Sequence, residues 1–167
     1  MRNRDKEALR EALDRAFMTS LEAEYYISRS YDEFRILHGK RLPDPGSFLG
    51  DLLTKFEGHF GITTHEDLKA PLDVLEPSEF AAVYQATAEA FWNVTRTSDA
   101  RNVYLESRLV GSVLLVRIRD DGRGLEDGHT FQGLQIIRQR VKEAGADMDV
   151  ISKPGRGTTV QLRFNKK

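Results

Sequence analysis

The strongest constraint on how this chain folds is an aliphatic stretch that ends in an acidic, glycine-rich loop. Residues 113–118 are aliphatic apart from Arg117 and predict a strand, after which the segment from Asp120 to Gly124 has the sequence DDGRG. Two glycines there let the backbone approach a flat ligand, because a Cβ would obstruct it. This pattern predicts a polar binding site at the end of the strand. The alternative is a plain acidic turn.

A second pattern lies in a helix predicted from Pro77 to about Thr97. Proline suits the first turn of a helix, and Glu79 there complements the helix dipole. Offsets of four and three residues bring three polar side chains to one helical face. That face holds Glu89, Asn93 and Arg96, with Gln85 one turn earlier, and the packing stripe holds Phe80, Tyr84, Thr87, Phe91 and Val94. The alternative is an ordinary solvated helix face.

The first part of the chain is predicted to be helical and to end at a boundary near residue 40. Residues 4–38 contain neither glycine nor proline, whereas the segment Gly39 to Gly46 contains two prolines. We therefore expect an N-terminal helix in residues 1–40 and a domain in residues 41–167. The apolar stripe of the N-terminal helix is narrow, which leaves two alternatives, a helix lying on the domain or one that forms a homodimer.

The remaining periodicities predict a mixture of helices and strands. A core helix is expected around residues 48–60, and a short strand near residues 61–64. Strands are expected at residues 103–105 and 113–118, joined by a turn at Gly111-Ser112. A helix follows from Gln132 to Ala144 and ends at Gly145, and two strands near residues 148–152 and 160–164 flank a glycine-rich turn.

The overall composition argues against several classes of protein. Lysine and arginine number 25 and aspartate and glutamate 26, so no whole-chain charge favours nucleic acid. There is no cysteine, which excludes disulfides and thiolate metal sites. No apolar stretch is long enough to span or insert into a membrane, and we expect a cytoplasmic location.

The polar residues of the two patterns suit a nucleotide bound with Mg²⁺. An amide oxygen of Asn93 can bind Mg²⁺ without repelling phosphates, and Arg96 can neutralise phosphate charge. Glu89 can orient or deprotonate a nucleophile. A carboxylate such as Asp120 can accept a hydrogen bond from the exocyclic amine of adenine. Two further features support this interpretation: Gly133-Leu134 opens a helix whose first N–H groups can bind phosphate, and Gly157 and Thr158 can close a base pocket.

The order of these patterns resembles the GHKL (Bergerat-fold) ATPase superfamily over roughly residues 76–165. The chain looks most like the ATP-binding catalytic domain of sensor histidine kinases, in the nitrate/nitrite-sensor subfamily. The family's motifs are matched by Glu89, Asn93, Arg96, Ala100 and Val103; by Asp120, Asp121, Gly122 and Gly124; by Gly133, Leu134, Ile137, Arg138, Arg140 and Val141; and by Ser152, Pro154, Gly155, Gly157, Thr158 and Val160. Thr97 and Ser98 depart from the usual histidine and alanine of the subfamily.

The resemblance implies a fold, two cofactors and a set of binding residues. The fold is an α+β two-layer sandwich, with a mixed, mostly antiparallel sheet covered on one face by helices. The cofactors are ATP and Mg²⁺, with Asn93 on the metal and Asp120 on the adenine amine. Gly122 and Gly124 would line the nucleotide, and Gly133 would begin the helix beneath the ATP lid.

The resemblance also implies partners, because such a kinase transfers phosphate to a histidine on a dimerisation domain and then to a response regulator. His38 follows Arg35-Ile36-Leu37, which is similar to the family's R-x-L-H-D, but Gly39 replaces the acidic residue. We therefore expect the acceptor histidine to be supplied in trans or by a longer protein. Three alternatives remain: an anti-sigma-type serine kinase, a degenerate nucleotide-binding module, and an interaction domain whose glycines only make turns.

Overall fold

The computed structural model describes residues 32, 35–38, 44–125 and 132–166. Residues 32 and 35–38 are helical. From residue 44 on, the described residues contain three α-helices, α1 (Pro45–Phe60), α2 (Pro77–Asn93) and α3 (Gln132–Glu143), and a π-helical turn, Val94–Ser98, that continues α2. The strands are β1 (Thr63–Leu68), β2 (Asn102–Val110), β3 (Val113–Asp120), β4 (Asp147–Ser152) and β5 (Thr158–Asn165). In this part of the chain no helix is both long and apolar enough to cross a membrane.

The strands form one sheet in the order β1-β2-β3-β5-β4. The β1 strand pairs in parallel with β2, and the other three pairs are antiparallel. Buried and more exposed residues alternate along β2, β3 and β5, so one face of the sheet packs on the core and the other is open. The predicted α+β architecture with a mixed, mostly antiparallel sheet is confirmed. The strands β1 and β2 are longer than their sequence patterns indicated.

Helix α1 begins and ends with local signals that the sequence carries. The Asp44 side chain accepts a hydrogen bond from the Ser47 backbone N–H at 2.8 Å, and Pro45 occupies the first turn. The helix ends at Gly61, which has a φ of 65°. Its apolar face packs on α2 through edge contacts of Phe48 with Phe80 and Tyr84.

Helix α2 is the central element of the core, since every residue from 80 to 92 is buried. The first two residues of the polar stripe predicted on this helix are therefore not solvated: Gln85 is 3% exposed and Glu89 is 7% exposed. Helix α3 packs beside α2 and buries Leu134, Ile137 and Val141. Periodicity did not reveal that Gln85 and Glu89 are buried, because polar residues at helical spacing usually lie on the solvent-exposed face of a helix.

Residues just before α1 pack on the same core. Ile36 is 2% exposed and belongs to the main hydrophobic cluster. The Tyr84 hydroxyl donates to a carboxylate oxygen of Asp32 at 2.7 Å, and the Arg35 guanidinium lies 5.4 Å from the ring centre of Phe48. Most of the predicted N-terminal helix lies outside the described residues. The boundary near residue 40 and the dimerising helix thus stay predictions.

Candidate functional site

An open cleft lies where the end of α2 meets β2, β3 and β5. Its lining is mostly apolar, with polar groups from Asn93, Asp120 and Thr158. The lining residues are Ala90, Asn93, Val94, Val103, Ile118, Arg119, Asp120, Leu134, Thr158 and Val160. An apolar cleft with a few converging polar groups is typical of a small-molecule site. Four of the predicted binding residues therefore line the same cleft: Asn93, Asp120, Leu134 and Thr158.

The carboxylate of Asp120 is held in a fixed orientation inside this cleft. It is 7% exposed, and one oxygen accepts the Gly122 N–H at 2.8 Å while the other accepts the Thr158 N–H at 3.2 Å. Burial raises the pKa of Asp120, although these two hydrogen bonds act in the opposite direction. Each carboxylate oxygen has a second lone pair, so Asp120 retains acceptor capacity for a ligand.

The glycines at the site serve contacts between loops. Gly157 has a φ of 69°, and a Cβ placed there would lie 2.0 Å from the backbone oxygen of Asp120. Gly124 has a φ of 70°, and its Cβ would lie 2.1 Å from the backbone oxygen of Lys153. The sequence indicated that glycine permits a close approach, but the approaching group at these two positions is protein backbone.

The turn between β4 and β5 is tied directly to the loop that follows β3. The Ser152 hydroxyl accepts the Leu125 N–H at 2.8 Å and lies 2.8 Å from the Thr158 hydroxyl oxygen. The Gly155 N–H donates to the backbone oxygen of Arg123 at 2.6 Å. Two motifs that are distant in sequence thus form one wall of the cleft. The sequence analysis assigned Ser152 no role at the site. The one sequence feature that could have indicated such a role was its match to the family motif.

The helix residues of the predicted site occupy different environments. Asn93 is partly buried and lines the cleft, and Arg96 is exposed on the π-helical turn that follows. Glu89 is buried beside the first turn of α3, because a Cβ on Gly133 would lie 1.7 Å from a carboxylate oxygen of Glu89. The positive end of the α3 dipole favours a carboxylate in this position. Gly133 is therefore the residue that lets α3 approach α2 this closely.

Asp121 anchors the loop to β2, a role that the sequence did not reveal. One carboxylate oxygen accepts the N–H groups of Arg101 and Asn102 at 2.8 and 2.9 Å, and the other accepts the Asn102 side-chain amide at 2.7 Å. Burial acts to raise the pKa of Asp121, but these hydrogen bonds outweigh it and leave the pKa below its usual value. The available sequence signal for this anchor was Asn102, a polar residue at the start of β2.

The two-layer fold and the cleft with its buried aspartate are consistent with a domain of the ATPase type. The family model described as "Histidine kinase-, DNA gyrase B-, and HSP90-like ATPase" matches residues 80–167. The chain belongs to this family. The GHKL assignment made from the motif order is thereby confirmed, whereas the nitrate/nitrite-sensor subfamily stays a prediction.

Two relatives of this chain are sensor proteins. The sensor protein VraS of Staphylococcus epidermidis is 32% identical over 84 residues, which are 48% of this chain and 24% of that protein. The sensor protein VraS of Staphylococcus aureus is 29% identical over 101 residues, which are 59% of this chain and 28% of that protein. The chain thus spans about a quarter of the length of the curated relatives it matches.

Solved structures share the fold at low sequence identity. The histidine kinase domain of the blue-light activated kinase EL346 from Erythrobacter litoralis superposes with a TM-score of 0.62 at 22% identity, covering 81% of this chain and 69% of that one. The histidine kinase AdeS of Acinetobacter baumannii gives a TM-score of 0.63 at 14% identity, covering 94% and 85%. These similarities concern the fold alone.

Proposed function

We propose that this chain is the Mg-ATP-binding catalytic domain of a sensor histidine kinase. The observation that carries the proposal is the buried carboxylate of Asp120, which two backbone N–H groups hold inside an apolar cleft that Asn93 also lines. A carboxylate fixed in this way presents an acceptor in an otherwise apolar space. The exocyclic amine of adenine supplies the matching donor.

The base is proposed to lie among the apolar residues of the cleft. Val103, Ile118 and Leu134 offer flat contact area, and Asp120 accepts the amine hydrogen bond. Thr158, whose backbone N–H donates to Asp120, also lines the cleft, and its hydroxyl is proposed to add a second polar contact with the base edge. Gly122, Gly124 and Gly157 contribute by keeping the loops on either side of Asp120 in close contact.

The phosphates are proposed to extend toward the end of α2. The amide oxygen of Asn93 is a suitable Mg²⁺ ligand, because Mg²⁺ prefers oxygen donors and is commonly held by one or two protein groups together with substrate phosphates. Bound Mg²⁺ would neutralise charge on those phosphates. Arg96 is exposed one turn further on and is proposed to steady the transferred group, while the first turn of α3 at Gly133 offers N–H groups to phosphate.

The reaction proposed is transfer of the γ-phosphoryl group from ATP to a histidine nitrogen. The bond between the γ-phosphorus and its bridging oxygen breaks, a phosphorus–nitrogen bond forms, and ADP leaves. Such transfer depends mainly on positioning and charge stabilisation. Glu89 is proposed to orient or deprotonate the nucleophile.

The acceptor histidine and a response regulator are the proposed partners. They would be supplied by further parts of a longer sensor protein or in trans, with this domain on the cytoplasmic side. The names of the staphylococcal relatives, which are sensor proteins, support this arrangement. We further propose the nitrate/nitrite-sensor subfamily and pairing of two chains through residues 1–40. The motif match and the predicted helix support these two points.

Calorimetric titration with ATP and Mg²⁺ tests the nucleotide site. We expect the native chain to bind and the Asp120→Asn variant to bind about ten-fold more weakly or worse, since hydrogen bonds to charged groups contribute roughly 1.5–3 kcal/mol. Asp149→Asn is the matched control, because it removes a carboxylate from β4 that pairs with Arg163 away from the cleft. No binding by the native chain, or equal binding by Asp120→Asn, contradicts the proposal.

A transfer assay separates a histidine kinase from a serine kinase of the same fold. The chain is mixed with labelled ATP and a separately purified histidine-containing dimerisation domain. We expect labelled phosphate that is labile in acid and stable in alkali, as a phosphorus–nitrogen bond requires. Phosphate of the opposite lability favours a serine kinase.

A further inference from the structure

A chain of hydrogen bonds connects strand β1 to the loop that carries the adenine-binding carboxylate. The Nε2 atom of His65 lies 2.9 Å from the Oδ1 atom of Asn102, and the Asn102 side-chain amide donates to Asp121 at 2.7 Å. An asparagine side chain has one acceptor and one donor end. Because His65 occupies the acceptor end, the donor end of Asn102 faces Asp121.

Asp121 links Asn102 to the site, because it directly follows Asp120 in the chain and accepts the Asn102 amide hydrogen bond. Besides the Asn102 amide, its carboxylate accepts the backbone N–H groups of Arg101 and Asn102, and its own N–H donates to the Asn102 backbone oxygen at 3.2 Å. Four hydrogen bonds thus fix the residue after Asp120 to the start of β2. A shift at Asp121 would displace Asp120 relative to its two N–H donors.

An aromatic stack on the open face of the sheet fixes the position of the imidazole. The rings of His65 and Tyr104 are stacked with centres 4.6 Å apart and planes inclined by 13°. On the other side of Tyr104, the Arg119 guanidinium lies 4.3 Å from the ring centre. These three residues are direct neighbours across β1, β2 and β3. Arg119 immediately precedes Asp120, so both chain neighbours of Asp120 are tied to this group.

We propose that His65 and Asn102 are positioning residues for nucleotide binding, acting through Asp121 on Asp120. The proposal rests on the function proposed above. His65 is exposed and adds little to the core, so its effect on binding would exceed its effect on overall stability. The hydrogen bond from Nε2 carries the effect, and the ring stack keeps the imidazole in place.

The test compares two variants that separate the hydrogen bond from the stack. His65→Phe keeps a ring against Tyr104 but removes the donor, and His65→Gln restores an amide donor at similar reach. The control is Gln161→Ala, which removes a side-chain hydrogen bond from Arg117 on the same sheet face. The probe is adenosine, titrated by NMR, and exchange of the Gly122 and Thr158 amide protons is followed without ligand.

We expect His65→Phe to bind adenosine about five-fold more weakly, the effect of losing roughly 1 kcal/mol. Its Gly122 and Thr158 amides should exchange faster, since both donate to Asp120. His65→Gln and Gln161→Ala should resemble the native chain in both measurements. Asn102→Asp, which sets a second carboxylate against Asp121, should weaken binding further.

Two results would overturn the proposal: native affinity and exchange in His65→Phe, or a defect in His65→Gln equal to that in His65→Phe. If the native chain binds neither adenosine nor ATP with Mg²⁺, the proposed nucleotide function fails. The exchange rates of the two amides then still decide whether His65 positions Asp120.

Discussion

At the scale of single residues, Asp120 gives the chain two pH dependences of opposite sign. Burial raises its pKa in the folded chain above the ordinary value of 3.8. Its contribution to stability is therefore fully present below the unfolded pKa and is lost as pH rises through the folded pKa. The proposed contact with adenine needs the ionised form, so adenine affinity should rise over the same increase in pH. Burial favours the protonated carboxyl of Asp120, whereas the proposed hydrogen bond from adenine favours the ionised carboxylate.

Adenosine affinity should accordingly fall as the solution is acidified through the raised pKa of Asp120. Adenosine is the suitable probe because it lacks the phosphate groups of ATP, which titrate themselves. NMR titrations at a series of pH values between neutrality and the onset of acid unfolding measure the effect. An affinity that does not change over this interval would show that the Asp120 carboxylate does not accept a hydrogen bond from the adenine amine.

Glu89 provides a prediction about catalysis rather than binding. Its carboxylate packs against Gly133, whereas Asn93, one turn on, lines the cleft. The isosteric Glu89→Gln change should lower kcat for transfer to a separate dimerisation domain by about 10² or more, because it removes the proposed general base. The KM for ATP should stay close to the native value. If kcat is retained and only the unfolding free energy falls, Glu89 serves helix packing instead.

At the scale of elements, the close contact between the β4–β5 turn and the loop after β3 makes Gly157 sensitive to substitution. Gly157→Ala should destabilise the chain, because its Cβ would lie 2.0 Å from the Asp120 backbone oxygen. Gly155→Ala is the matched control, since Gly155 has a similar φ of 72° but no atom near its Cβ position. Both variants share a backbone strain of about 1–3 kcal/mol, so their difference in urea unfolding isolates the clash. Equal unfolding free energies would contradict the close contact.

The elements themselves were largely predictable from local patterns, but their partners were not. Proline at the start of α2, glycine after α1 and alternation in β5 are local signals, and each element formed where it was expected. The burial of Glu89 depends on α3, which lies far along the sequence. The anchoring of Asp121 by Asn102 depends on strand pairing. Contacts of this kind are set by tertiary register, which periodicity does not encode.

The candidate site shows the same division. The roles suggested for Asp120 and Asn93 followed from side-chain chemistry, and both residues line the cleft. The contribution of Ser152 became evident only once its hydroxyl was placed between Leu125 and Thr158. A serine in a turn carries too little chemical identity to be singled out from sequence.

At the scale of the whole molecule, Ile36 contributes a side chain from the N-terminal side of residue 40 to the hydrophobic core. Its side chain belongs to the same cluster as Phe48 and Tyr84, and it reaches this cluster from before the segment that contains Pro43 and Pro45. A division of the chain at residue 40 would remove this side chain from the core. The contribution of Ile36 to the free energy of unfolding therefore tests the boundary predicted near residue 40.

Replacing Ile36 by alanine measures how far the domain extends. Because Ile36 is 2% exposed, Ile36→Ala should lower the unfolding free energy by about 2–4 kcal/mol, the usual cost of such a truncation in a core. Leu37→Ala is the matched control, since Leu37 is 42% exposed and its loss should change stability by less than about 0.5 kcal/mol. Urea unfolding of both variants gives the difference. If the two variants unfold alike, residues before 41 add nothing to the domain and the boundary expected from the prolines is correct.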